Sequence, residues 1–190
     1  MSLTHPQLSS RSTAKSMVHT ALFVTLIAIG AFIRIPLPVC PFTLQLLFTT
    51  LAGLLLGPIQ GALTVLLYVA LGLAGLPVFT AGGGPAYVFQ PTFGYLLGFI
   101  AGSWVAGSIA GPLARWTRKR VLAAVYANLA VVYAFGIAYT YIALHYYVHA
   151  ETGLWTLFLY AFFLEIPGDA LVCALAYYMA RRLRAMPYFY

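Results

Sequence analysis

Acidic residues are almost absent. Glu151, Glu165 and Asp169 are the only carboxylate side chains in 190 residues, too few for a hydrolase that bridges metals between acids. Cysteine is scarcer still. Cys40 falls in a loop-like stretch and Cys173 inside a late apolar run, which provides neither a disulfide framework nor a zinc-type spacing, and neither is given a role. No phosphate-cradling loop of the Gly-x-x-x-x-Gly-Lys-Ser/Thr form occurs. His145 and His149 stand four residues apart without any further His, Cys or acid arranged around them, so they read as interfacial residues rather than metal ligands. No catalytic or metal-ligating set is expected. Charge as a whole is thin, at 7% of residues, against roughly a quarter in soluble domains.

Hydrocarbon takes its place. Hydrophobic residues make up 63% of the chain and the mean hydropathy is +0.92, which marks an all-α integral membrane protein. Apolar runs near 17–33, 42–56, 59–77, 92–113, 121–147 and 154–180 each approach the ~20 residues a transmembrane helix needs, giving six expected spans. The first run follows a basic start and resembles a cleaved signal, but the chain continues at once into more membrane, so it is kept as a helix. The expected organisation is a cytoplasmic segment 1–16, a membrane domain 17–184 and a short tail 185–190.

The net charge of +7 is carried by clusters: Arg11 and Lys15, Arg115 to Arg120, and Arg181, Arg182 and Arg184. With a cytoplasmic N-terminus every cluster lies inside, as the positive-inside rule requires, and the C-terminus is cytoplasmic too. The high charge therefore reports topology and not nucleic-acid binding. Arg34 is the exception, alone at the outer end of the first span.

Glycines in steps of four, Gly53, Gly57 and Gly61 and then Gly94, Gly98 and Gly102, let backbones approach closely where lipid removes the hydrophobic drive. Leu56-Gly57-Pro58 reads as a tight turn between two helices, with Pro58 at a helix start. Ala21, Thr25 and Ala28 form a small-residue stripe on the first helix. It either packs internally, the reading the sequence favours, or docks another membrane protein.

Three irregular segments stand out. Ile35-Pro36-Leu37-Pro38-Val39-Cys40-Pro41 excludes a helix until after Pro41 and leads into Phe42, Thr43 and Gln45. Phe79 to Gln90 contains Gly82-Gly83-Gly84-Pro85, either a flexible turn or, given Phe79, Tyr87 and Gln90, the wall of a binding pocket. In the latter case Gly83→Leu is expected to weaken binding while the protein stays intact. Last, Glu165-Ile166-Pro167-Gly168-Asp169 lies within the final apolar run. Pro167 and Gly168 are expected to break the helix between the two acids. Asp169 then sits in the outer half of the membrane, where an unpaired acid costs about 2.5–3.5 kcal/mol on insertion scales. It is a structural cap, a functional group, or both, whereas Glu165 is expected to be hydrated near the interface.

Taken together, IPLPVCPFTLQ, LAGLLLGP, YVALGLAGLPVF, the triple-glycine loop, PTFGYLLGF and IPGD resemble the BioY family, the biotin-specific S components of energy-coupling factor (ECF) transporters. The likeness runs from about Met17 to Arg184. It implies a six-helix ECF S-component bundle in a prokaryotic plasma membrane, biotin as ligand, no bound cofactor, and no enzymatic activity of its own. Its implied partners are a transmembrane coupling subunit and two ATPases, with the first helix as a docking surface.

The family's site corresponds to Phe42, Thr43 and Gln45, to Gly82, Gly83, Gly84 and Tyr87, and to Asp169. Phe79 and Gln90 lie alongside, and the glycine N–H groups are available to a ligand acceptor. Two positions depart from the family pattern. Val172 stands where a lysine often follows the aspartate by three residues, and Phe93 replaces the first glycine of a common PTGGY. The ligand carboxylate is then held by Arg34, backbone N–H groups or water, or affinity is reduced, or the ligand is a different vitamin. An intramembrane enzyme built on Glu165 and Asp169, or a structural scaffold, are the readings outside transport.

Overall fold

The computed structural model describes residues 7–37, 41–146, 153–160, 163 and 165–184; Cys40, His149, Glu151 and the tail 185–190 lie outside them. The chain forms helices α1 (Gln7–Phe32), α2 (Gln45–Leu56), α3 (Pro58–Leu73), α4 (Phe93–Ala110), α5 (Arg118–Tyr146), α6 (Leu154–Tyr160) and α7 (Ile166–Leu183). Strands β1 (Arg34–Ile35) and β2 (Phe42–Thr43) pair antiparallel between α1 and α2. A short 3₁₀ turn, Pro85–Phe89, leads toward α4.

The segments Ala14–Phe32, Phe93–Ala110 and Arg118–Tyr146 are long and apolar enough to cross a membrane, and α2 and α3 are shorter apolar helices. At 1.5 Å per residue the 12 residues of α2 cover about 18 Å, less than the ~30 Å hydrocarbon core. α1 begins ten residues ahead of the apolar run, because Gln7 to Ser16 contains neither proline nor glycine to stop the helix. The three-proline segment, expected to be loop throughout, is flanked by the small β1–β2 ladder, with Arg34 opposite Thr43 and Ile35 opposite Phe42.

α2 is the central helix. Ten of its twelve residues are buried, and it touches α1, α3, α4, α5 and α7; a helix apolar on every side belongs in a core. The outside of the bundle is apolar as well. Ile59 and Leu63 on α3, Trp155 on α6 and Leu171 on α7 are all exposed, a surface suited to lipid.

Glycine sets the close approaches. Gly57 alone joins α2 to α3 at φ 84°, a conformation glycine adopts without cost. A Cβ at Gly53 would lie 2.2 Å from the Ser103 carbonyl oxygen, so α2 and α4 touch through backbone there. Gly94 and Gly98 bring α4 against the α5 backbone at Phe135 and Val132, and Gly102 makes room for the Asn128 side chain. The Asn128 amide donates to Thr50 Oγ1 at 2.6 Å, tying α5 to α2 deep in the core.

The basic clusters gather at one end of the bundle. Arg184 donates to the Trp116 carbonyl, and the Trp116 indole donates to the Gly111 carbonyl. Gln60, at the start of α3, donates to the Ser16 carbonyl of α1. The β1–β2 hairpin, the glycine loop and the start of α7 lie at the other end.

Two expectations change. The helix is not broken between the acids: Glu165 is π-helical and runs directly into α7 at Ile166. Pro167 occupies the first turn of α7, where its missing N–H costs nothing, and Asp169 belongs to the same turn. Of the small-residue stripe, Ala28 alone packs against the core. α1 buries Phe23, Ile27, Gly30 and Ala31, which remove more apolar area from solvent, so Ala21 and Thr25 face outward and Ala28 is half-buried.

Candidate functional site

A cavity opens at the end of the bundle opposite the basic clusters. Its empty space, open mouth included, is about 530 Å³, and the interior is narrow.

Each wall comes from a different element. The β2–α2 segment supplies Phe42, Thr43, Gln45 and Leu46. The glycine loop and the entry to α4 supply Thr80, Tyr87 and Thr92, and α4 itself supplies Tyr95, Leu96 and Phe99. Val132 of α5 and the pair Glu165 and Asp169 at the start of α7 complete it. Thr92, Tyr95, Leu96 and Phe99 follow the i, i+3, i+4, i+7 rhythm of one helix face, so PTFGYLLGF is the inner wall of the cavity.

The first segment is held by a chain of hydrogen bonds. The Gln45 amide donates to Tyr68 Oη at 2.8 Å, and Tyr68 in turn donates to the Val78 carbonyl at 2.8 Å. Thr43 Oγ1 lies 3.3 Å from Gln45 Oε1 and donates to it. Buried polar groups paired in this way stiffen the wall, since each would be costly to leave unmatched. Phe42 rests against the start of α7: a Cβ at Gly168 would come within 2.8 Å of its ring.

The glycine loop acts from behind the wall. Phe79 is buried between Tyr68 and Tyr87, at centroid distances of 5.5 and 4.5 Å, and brings the tip of its ring against Gly72, whose Cβ would overlap it. The Gly84 N–H donates to the Gly72 carbonyl at 2.7 Å, and the Gly82 N–H to the Phe79 carbonyl at 3.3 Å. A Cβ at Gly83 would lie 2.1 Å from the Leu76 carbonyl oxygen. These glycines fix Tyr87, whose hydroxyl reaches Thr80 and Thr92 at 2.9 and 3.3 Å.

Of the expected site residues, Phe42, Thr43, Gln45, Tyr87 and Asp169 line the cavity together. Phe79, Gly82, Gly83 and Gly84 do not. Gln90 lines an outer depression with Arg34, Thr80 and Thr92, immediately outside the cavity. Arg34 donates to the Thr80 carbonyl there and ties the hairpin to the glycine loop.

The deep wall carries the acids. Tyr133 of α5 donates to Asp169 Oδ2 at 2.6 Å, and Tyr95 of α4 donates to Glu165 Oε2 at 3.1 Å. Both acids lie at the N-terminal end of α7. Glu165, expected to be hydrated, is only 5% exposed and meets the Tyr95 hydroxyl inside the bundle. None of the described cavity-lining residues is basic. Val172 is buried in the core and outside the cavity lining. Leu46, Thr80, Thr92, Tyr95, Leu96, Phe99, Val132 and Glu165 are lining residues absent from the expected site; the helical rhythm after Pro91 was the available signal for Thr92, Tyr95, Leu96 and Phe99. Among the described residues there is no cluster of three potential metal ligands.

The family model that matches this chain is the BioY family, over residues 4–188. The chain belongs to the BioY family. A protein of Lysinibacillus sphaericus described as a probable biotin transporter BioY is 42% identical over 168 residues, 88% of this chain and 86% of that protein. The biotin transporter BioY of Thermotoga maritima is 40% identical over 136 residues, covering 71% and 77%. A crystal structure of the S component for biotin from an ECF-type ABC transporter superposes with a TM-score of 0.72 at 26% identity, over 97% of this chain and 96% of the other. The BioY motifs therefore fall on the cavity: PFTLQ forms one wall, PTFGYLLGF another and IPGD the deep end.

Proposed function

We propose that this chain is the biotin-capturing S component of an ATP-driven ECF importer. It takes the vitamin from the outer face and hands it to a transmembrane coupling subunit served by two ATPases. It hydrolyses no ATP and holds no cofactor of its own. The observation that carries this reading is the cavity of a BioY-family bundle, placed at the end opposite the basic clusters and floored by Asp169.

The six-span topology follows with both termini cytoplasmic, α6 and α7 forming the last crossing together within a membrane domain of residues 17–184. The positive-inside rule supports that orientation, because Arg184, the Trp116 loop and the start of α1 share one end. The location is a prokaryotic plasma membrane.

Biotin offers a cyclic urea, an apolar bicycle and a valerate carboxylate. Asp169 accepts from the urea, while Phe42, Tyr87, Tyr95 and Phe99 provide apolar faces for the bicycle. With no base in the cavity, the carboxylate stays toward the mouth, where Arg34 supplies the positive charge. Phe79 and the three glycines act by holding Tyr87, and Gln90 by shaping the mouth. Ala21 and Thr25, exposed on α1 beside the half-buried Ala28, support helix 1 as the docking face, since small side chains permit close helix contact.

The experiment is uptake of labelled biotin by biotin-auxotrophic cells expressing this chain with a coupling subunit and ATPases. ATP-dependent accumulation that unlabelled biotin suppresses is the expected result. Folded protein in the membrane with no accumulation contradicts it.

A further inference from the structure

Glu165 immediately precedes the Ile166-Pro167-Gly168-Asp169 motif and is explained neither by packing nor by capping. It occupies the N-cap of α7 yet makes no side-chain bond to its own helix, although capping is the usual work of a polar side chain there. Its carboxyl group is buried, lines the cavity and is held by the Tyr95 hydroxyl. Asp169, one turn later, is held in the same manner by Tyr133, and the two tyrosine rings meet edge to face at 6.0 Å. Glu165 also has the Tyr133 hydroxyl within hydrogen-bonding reach; a carboxylate has two oxygens and about four acceptor sites, so each acid keeps capacity to receive a further donor.

The chemistry of a cyclic urea calls for such a pair. Its two N–H bonds lie on either side of the ring carbonyl and diverge, so one carboxylate cannot receive both. Two acceptors about one helical turn apart, with Cβ atoms ~5–6 Å from each other, are able to reach both edges, and the longer Glu165 side chain extends that span. Tyr87, Tyr95 and Tyr133 are the other titratable groups facing the pair, with Cys173 buried behind Asp169 on α7.

Resting on the biotin reading above, we infer that Glu165 is a second ligand-recognition residue, accepting one N–H of the cyclic urea while Asp169 accepts the other. The specificity of the cavity is then for a head group with two divergent donors.

The test uses the full-length purified chain as wild type, Glu165→Gln, Glu165→Met and Asp169→Asn. The ligands are biotin and the two cyclic-carbamate analogues in which one or the other ring N–H is replaced by oxygen. Biotin affinity is expected to fall in the order wild type, Gln, Met, with the Met variant weaker by about tenfold or more. The decisive readout is the cross-pattern. The Glu165 variants lose nothing further on one carbamate, Asp169→Asn loses nothing further on the other, and ligand-free melting temperatures show that the proteins are folded. If Glu165→Met does not fold, the Gln variant still gives the pattern. Equal losses on biotin and both carbamates, or unchanged biotin affinity in the Glu165 variants, overturn the inference while leaving biotin capture standing. Absence of biotin binding by wild type overturns both.

Discussion

The Tyr133 hydroxyl donates to Asp169 at 2.6 Å and so fastens α5 to the first turn of α7 at the deep end of the cavity. Both partners are largely withdrawn from solvent, so the bond fixes where the carboxylate faces the ligand. Tyr133→Phe keeps the ring and its packing against Tyr95 but removes the donor. An unmatched buried group costs about 1–3 kcal/mol, so biotin affinity is expected to fall roughly tenfold. Calorimetry of the variant checks this; unchanged affinity shows that Asp169 does not depend on Tyr133.

Arg34 stands at the mouth, bonded to the Thr80 carbonyl. If it receives the valerate carboxylate, Arg34→Gln weakens biotin binding by up to about fivefold, as an exposed charge pair contributes up to ~1 kcal/mol. Biotinamide, which lacks the charge, is expected to bind wild type and variant alike. Equal weakening for both ligands assigns Arg34 to the loop contact alone.

Gly83→Leu acts on the fold. The Leu76 carbonyl oxygen stands 2.1 Å from any Cβ at this position, and backbone cannot move aside as a flexible side chain does. The expected cost is about 1–3 kcal/mol of stability, read as a lower melting temperature in detergent. A fully stable variant with weakened binding restores the original expectation that this glycine faces the ligand.

Ala21→Leu tests the docking face. Ala21 is exposed on α1, so the substitution leaves the core untouched, and biotin binding is expected to stay within about twofold of wild type. Co-purification with the coupling subunit and ATP-driven uptake are expected to fall sharply. Wild-type uptake removes this stripe from the interface.

Much of this was legible in the sequence because the signals are local. The single-residue turn at Gly57, the Gly94-Gly98-Gly102 contact and the break before α2 each follow from glycine or proline chemistry within a few residues. So did Phe42, Thr43, Gln45, Tyr87 and Asp169, through the resemblance to BioY motifs, and the family match agrees with that resemblance. What escaped depends on partners far away in sequence. Glu165 faces inward because Tyr95, 70 residues earlier, meets it. The glycine loop turned out to support the wall because its N–H groups are used by Gly72 and Phe79. Which face of α1 is buried was decided by Phe23 and Ile27 competing with a stripe of smaller residues.

Titration calorimetry of the purified protein with biotin, run in parallel on wild type and Asp169→Asn, is the most direct measurement. The account predicts one-to-one binding by wild type and a loss of about tenfold or more in the variant. No binding by a well-folded wild type, or equal affinity in the two proteins, contradicts a biotin site floored by Asp169.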